Sequence, residues 1–88
     1  MSIMYLVVAE FMYSDVALSL CETEELASNL CESYADDFNY MWFNNESVHD
    51  CSEVEFRGTY FVKFVNGVRQ PKQADSVYPF VADCDDDD

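Results

Sequence analysis

Among the side chains able to do acid–base, nucleophilic or metal chemistry in these 88 residues are one histidine, four cysteines and eighteen carboxylates. His49 stands in a polar stretch, residues 44–50. A single imidazole with no serine or cysteine motif around it builds neither a Ser/His/Asp nor a Cys/His centre. Cys21, Cys31, Cys51 and Cys84 are spaced by 10, 20 and 33 residues, with no Cys-x-x-Cys pair to begin a structural zinc site. Four thiols allow two disulfides in three pairings. Residues 3–9 are apolar, but the run ends at Glu10 and follows no basic residue. It does not read as an export signal, and it falls far short of the ~20 apolar residues of a membrane span. The thiols are therefore expected to be reduced in a cytoplasmic protein, with the Asn45-Glu46-Ser47 sequon incidental. Gly58 and Gly67 are the only glycines, too few for a phosphate-cradling loop. Asp83 and Asp85 to Asp88 offer oxygens to a hard cation but lack the spacing and glycine of an EF-hand. The expectation is a chain with no catalytic residue, no cofactor and no metal.

Charge narrows the partner more than the chemistry does. Eighteen acids face four bases, a net −14. Bare nucleic acid and anionic membranes both require a positive footprint, so neither is an expected partner. The charges also fall in blocks. Residues 1–56 hold twelve acids and no base, 57–72 hold Arg57, Lys63, Arg69 and Lys72 and no acid, and 73–88 hold six Asp. A run such as Asp85 to Asp88 repels itself and stays solvated. The chain divides into a single domain over residues 1–82 and an acidic tail over 83–88.

The elements that position these groups follow from periodicity. Half of the residues are apolar, enough for one modest core in a chain of this length. Residues 4–12 are apolar on both faces of a strand, which predicts a central position. Residues 13–15 make a turn, and 16–21 alternate as its hairpin partner. Thr23 is placed to cap a helix with Glu24 and Glu25 in its first turn. Leu26, Ala27, Leu30, Cys31, Tyr34, Ala35 and Phe38 recur at helical period, and the strip Leu26, Leu30, Tyr34 is predicted to face the sheet. Residues 39–43 read as a short strand or an aromatic loop. Residues 53–56 and 59–65 read as strands joined through Arg57-Gly58. Asn66-Gly67 predicts a tight hairpin, and Pro79 limits residues 77–81 to an edge strand. The predicted fold is α+β: an antiparallel sheet of about four or five strands with one principal helix on one face.

Two surfaces follow. Glu25, Glu32 and Asp36 lie along the solvent side of the predicted helix, with Glu24 and Asp37 beside them. Glu53 and Glu55 extend the count from one side of a strand. Helical residues four apart are ~6 Å apart along the axis, and duplex phosphates recur every ~3.4 Å along each strand. These acids can therefore imitate part of a phosphate track. Tyr40, Trp42 and Phe43 form the second surface, an aromatic anchor for a protein partner, with Trp42 serving equally as core or interface. Lys63 and Arg69 flank the hairpin turn and read as solubilising charges on an edge.

Residues 57–64, Arg57-Gly58-Thr59-Tyr60-Phe61-Val62-Lys63-Phe64, resemble the RNP1 segment of RNA-recognition motifs at Arg57, Gly58, Phe61, Val62 and Phe64, and depart at Thr59 and Tyr60. The resemblance implies aromatics that stack on bases from an exposed sheet face. The βαββαβ order of that family does not fit a hairpin placed before the helix, and the charge opposes RNA. The segment is read instead as a glycine turn and a half-buried aromatic strand. In size, acidity and want of catalytic motifs the whole chain resembles small phage-encoded inhibitors of the nucleic-acid-mimic type, which block restriction enzymes, CRISPR effectors or DNA-packaging proteins. That resemblance implies a stoichiometric blocker of a basic nucleic-acid-binding groove in the host cytoplasm. The alternative is an inhibitor of a host enzyme or RNA polymerase acting through the aromatic anchor.

Overall fold

The computed structural model describes residues 2–73 and 76–80; the acidic run 83–88, Cys84 and the boundary at residue 82 lie outside the described residues. Strand β1 (Ile3–Phe11) turns into β2 (Asp15–Cys21). Helix α1 (Glu24–Asp36) and helix α2 (Phe38–Asn44) follow. Two 3-10 turns, Glu46–Val48 and Glu53–Glu55, lead into β3 (Phe56–Val65), β4 (Val68–Arg69) and β5 (Val77–Pro79). The five strands form one antiparallel sheet ordered β2-β1-β3, with β4 and β5 both pairing the far edge of β3. The fold is α+β, and α1 is the principal helix packed on the sheet.

The apolar character of both faces of β1 has a direct structural use. Val7, Ala9 and Phe11 point to the helices and join Cys21, Ala27, Cys31, Tyr34, Phe38, Met41, Val48, Phe56 and Phe61 in the main core. Val8 points the other way, into a smaller cluster with Tyr60 and Val62, flanked by Leu6 and Phe64. At the tip of the β3–β4 hairpin, Asn66 and Gly67 have φ of 52° and 83°, the left-handed pair that a tight hairpin of this hand requires. Asn66 also holds the chain start: its N–H donates to the Ser2 carbonyl (2.6 Å) and its Oδ1 accepts from the Ser2 N–H (2.9 Å). Gly58 has φ +139°, and a Cβ there would run into the Tyr78 carbonyl and stand 2.8 Å from the Pro79 Cα. Only glycine lets β5 pair at that point.

Three local expectations change. Residues 38–44 are helical, because Phe38 and Met41 recur at helical spacing and both are buried. Residues 53–55 form a 3-10 turn rather than a strand, so Glu53 and Glu55 do not share a strand face. The buried face of α1 is rolled away from the predicted strip. Leu26 is 53% exposed and Leu30 half-buried, while Ala27, Cys31, Tyr34 and Ala35 are buried. Ala27, Cys31 and Ala35 are a seam of small side chains at i, i+4, i+8. It lets α1 approach the sheet closely enough for the Thr59 hydroxyl to donate to the Cys31 carbonyl at 2.7 Å. On the other flank Ser28 meets the Tyr78 hydroxyl of β5.

This roll is testable by truncation. Met41 is fully buried, so Met41→Ala should lower stability by about 2–5 kcal/mol. Leu26→Ala should change it by less than about 0.5 kcal/mol. Urea unfolding of the two variants checks this, and a Leu26 cost equal to that of Met41 would contradict the helix orientation.

Candidate functional site: an acidic helical layer with an aromatic corner

The acids of α1 separate into a line and an outlier. At about 100° per residue, Glu25, Glu32 and Asp36 fall within about 40° of one another on the helix wheel, along about 16 Å of axis. All three are exposed. Glu24 lies about 100° off that line and reaches a cleft at the start of the helix. Thr23 fixes the helix start, its Oγ1 accepting from the Leu26 N–H at 3.2 Å.

Asp37 has a capping role. Its N–H donates to the Ser33 carbonyl at 3.2 Å, closing α1, and its Oδ1 accepts from the Tyr40 N–H at 3.2 Å, opening α2. A carboxylate that is unfavourable at the C-terminus of one helix is thus favourable at the N-terminus of the next. Asp36 and Asp37 precede Phe38, whose ring lies 5.5 Å from that of Phe56, which follows Glu53 and Glu55. Phe11 and Phe80 complete this aromatic cluster, at 5.3 and 4.8 Å from Phe56. The buried Phe38–Phe56 contact thus ties together the two chain segments that these acids precede.

Helix α2 carries the aromatic corner. Phe43 is 77% exposed and Tyr40 47% exposed, on the same outward side three residues apart. Trp42 is half-buried and packs on the main core. His49 stacks on the Trp42 indole at 4.1 Å between centroids and donates from Nε2 to the Trp42 carbonyl at 2.9 Å. Trp42 thus joins core to surface, and Tyr40 and Phe43 are the parts open to a partner.

No base lies anywhere on this helical layer. All four follow it in the chain, and Arg69 and Lys72 serve the far face of the sheet: the Lys72 ammonium sits 4.3 Å above the Tyr60 ring, and Arg69 lies beside the Tyr60 hydroxyl. That hydroxyl donates to Asp15 Oδ2 at 2.6 Å. Burial and the neighbouring Asp15 push the Tyr60 phenol up to about 12. Burial likewise pushes the Cys31 thiol up to about 12, and burial with Glu55 and Asp50 nearby raises the Cys51 thiol. Cys21, Cys31 and Cys51 are free thiols. Among the described residues no three His, Cys, Asp or Glu side chains gather as metal ligands, and no helix is long and apolar enough to cross a membrane.

The strand resembling RNP1 presents its aromatics differently from that family. Phe61 faces the helices, packed edge-on against Tyr5 at 5.9 Å, and Thr59 is bonded to α1. No protein family, no curated protein and no solved structure matches the chain.

Two measurements check these environments. Iodoacetamide should modify Cys51 first among the three thiols and spare Cys31 until the protein unfolds; equal labelling rates would contradict the burial of Cys31. Alkaline stability follows from the raised pKa values. The unfolded chain releases the Cys31 and Tyr60 protons near their ordinary 9.0 and 10.0, while the native protein holds both to about 12. Stability should therefore be unaffected by these groups below about pH 9 and fall between there and about pH 12. Thermal midpoints against pH should show a shallower fall in Tyr60→Phe, and an identical slope would refute the assignment to Tyr60.

Proposed function

We propose that this chain is a non-catalytic inhibitor that occupies the basic nucleic-acid-binding groove of a partner protein, as a stoichiometric mimic of a phosphate track. The observation that carries this reading is the exposed line Glu25, Glu32, Asp36, held on a capped helix in a layer without a single base. Steps of about 10 and 6 Å along the helix axis correspond to about three and two phosphate steps of one duplex strand. Asp37, Glu53 and Glu55 continue the negative surface past the end of α1. A rigid charged face loses little conformational freedom on binding, an advantage over a flexible acidic segment. The setting that suits such a protein is the cytoplasm of a phage-infected cell, with a restriction, CRISPR or DNA-packaging protein as target.

The aromatic corner favours a second reading: a host enzyme or RNA polymerase bound through Tyr40 and Phe43, with Trp42 as their support. Exposed aromatic side chains at this density are typical binding hot spots.

Salt and DNA separate the two. The immobilised protein is presented with the fraction of a bacterial lysate that binds DNA-cellulose. For the groove mimic, retention should fall steeply from about 50 mM to about 500 mM salt, and added duplex DNA should displace the partner. Changing Glu25 and Glu32 to Gln and Asp36 to Asn should weaken retention more than deleting Asp85 to Asp88. Retention that ignores salt and DNA and is lost in Phe43→Ala would replace the mimic with the aromatic-anchor reading.

A further inference from the structure

A cleft of about 370 Å³ opens where α1 begins, at the opposite end of that helix from the aromatic corner. Tyr5 and Phe61, packed edge to face, line it from the sheet, and Val65 and Pro71 add apolar wall. Two charges of opposite sign share this cleft: Glu24 from the first turn of α1 and Lys63 from β3. The strand pairing sets Lys63 directly across from Tyr5, so the ammonium belongs to the helix-side face that carries the aromatic rings. The chain after β4 is tied down beside it. The Gln70 N–H donates to the Lys63 carbonyl at 2.8 Å, and the Gln70 side-chain Nε2 donates to the Val68 carbonyl at 3.0 Å.

This combination restricts the ligand. The volume lies near the low end of small-molecule pockets, which suits about a dozen non-hydrogen atoms. A neutral apolar ligand would cover the aromatic floor and gain nothing from Lys63 or Glu24. A simple anion meets Glu24, and a simple cation meets Lys63. A molecule carrying an ammonium and a carboxylate close together, with an apolar group beyond them, satisfies both charges and covers the aromatic floor. We infer that the cleft binds a free α-amino acid with an aromatic or large apolar side chain, its carboxylate toward Lys63, its ammonium toward Glu24 and its side chain on Tyr5 and Phe61.

The test uses L-phenylalanine, with phenethylamine and 3-phenylpropionate as single-charge analogues, titrated into the isotope-labelled full chain and followed by amide chemical shifts. L-phenylalanine should give saturable shifts at Tyr5, Phe61, Lys63 and Gln70 with a millimolar midpoint, in keeping with a ligand of this size. Each analogue should bind at least about fivefold more weakly, and so should L-phenylalanine to Glu24→Gln and to Lys63→Met. Lys63 and Glu24 are both exposed, so their variants should fold, and unchanged shifts elsewhere confirm it. No saturable shift up to about 20 mM overturns the inference, as do analogues that bind as well as L-phenylalanine. Tighter binding of a peptide ending in phenylalanine than of the free amino acid would also overturn it, by moving the site to a protein partner's terminus. None of these outcomes bears on the acidic line, which lies on another face of α1.

Discussion

The hydrogen bond from the Thr59 hydroxyl to the Cys31 carbonyl depends on a close helix–sheet approach, and much of the molecule depends on that approach too. Only small side chains between helix and sheet permit it, and Ala27, Cys31 and Ala35 supply them. With α1 seated on that seam, its rotation is set. Ser28 turns to β5, Leu26 turns to solvent, and Glu25, Glu32 and Asp36 come into register on the outer side. A bulkier seam would lift the helix and break the bond. It would also uncover Met41 and Val48, which are fully buried beneath the second helix and the turn after it. A single packing decision therefore orders both the core and the charged surface.

The same arrangement concentrates charge by layer. Helices and 3-10 turns carry only acids; the bases reside on β3, β4 and the segment that follows. Within the helical layer three of the negative charges sit where the backbone favours them, whereas Asp36 closes α1 at its negative dipole end. Glu24 and Glu25 occupy the first turn of α1, and Asp37 caps α2. A surface this acidic is compatible with folding because several of its members contribute to helix stability through the dipole and through capping.

Much of the fold was legible because it rests on strong local signals. The two-faced apolar run of β1, the Thr23 cap and the Asn66-Gly67 turn each specify one conformation. Helix α2 is hidden in the sequence because Phe38 continues the stripe of α1, leaving residues 39–43 without a period of their own; Asp37, which caps α2, is its start signal. The roll of α1 was illegible for another reason. Hydrophobicity ranks Leu26 and Leu30 above Ala27 and Cys31, whereas close approach to a sheet selects for small volume. Glu25, Glu32 and Asp36 were readable from the helix period; Glu24 was not, because its direction depends on that roll, and neither was the placement of Glu53 and Glu55, which lie in a 3-10 turn instead of on a strand face. The cleft needed tertiary structure, since Tyr5, Glu24, Lys63 and Gln70 come from four separate segments.

The layered charge also gives the molecule an orientation before contact. Among the described residues the helices and 3-10 turns hold only acids, while the bases stand on β3, β4 and the segment after them, with Lys63 on the helix-side face of β3. In the field of a positively charged surface such a particle turns its acid-only layer forward while still a Debye length away, about 8–10 Å in physiological salt. The encounter is thereby biased toward the helical face, and the association rate rises with no added contact in the final complex. Moving one base from β4 onto α1 would leave the net charge unaltered and yet blunt that alignment, so the placement of these charges governs kinetics separately from their number.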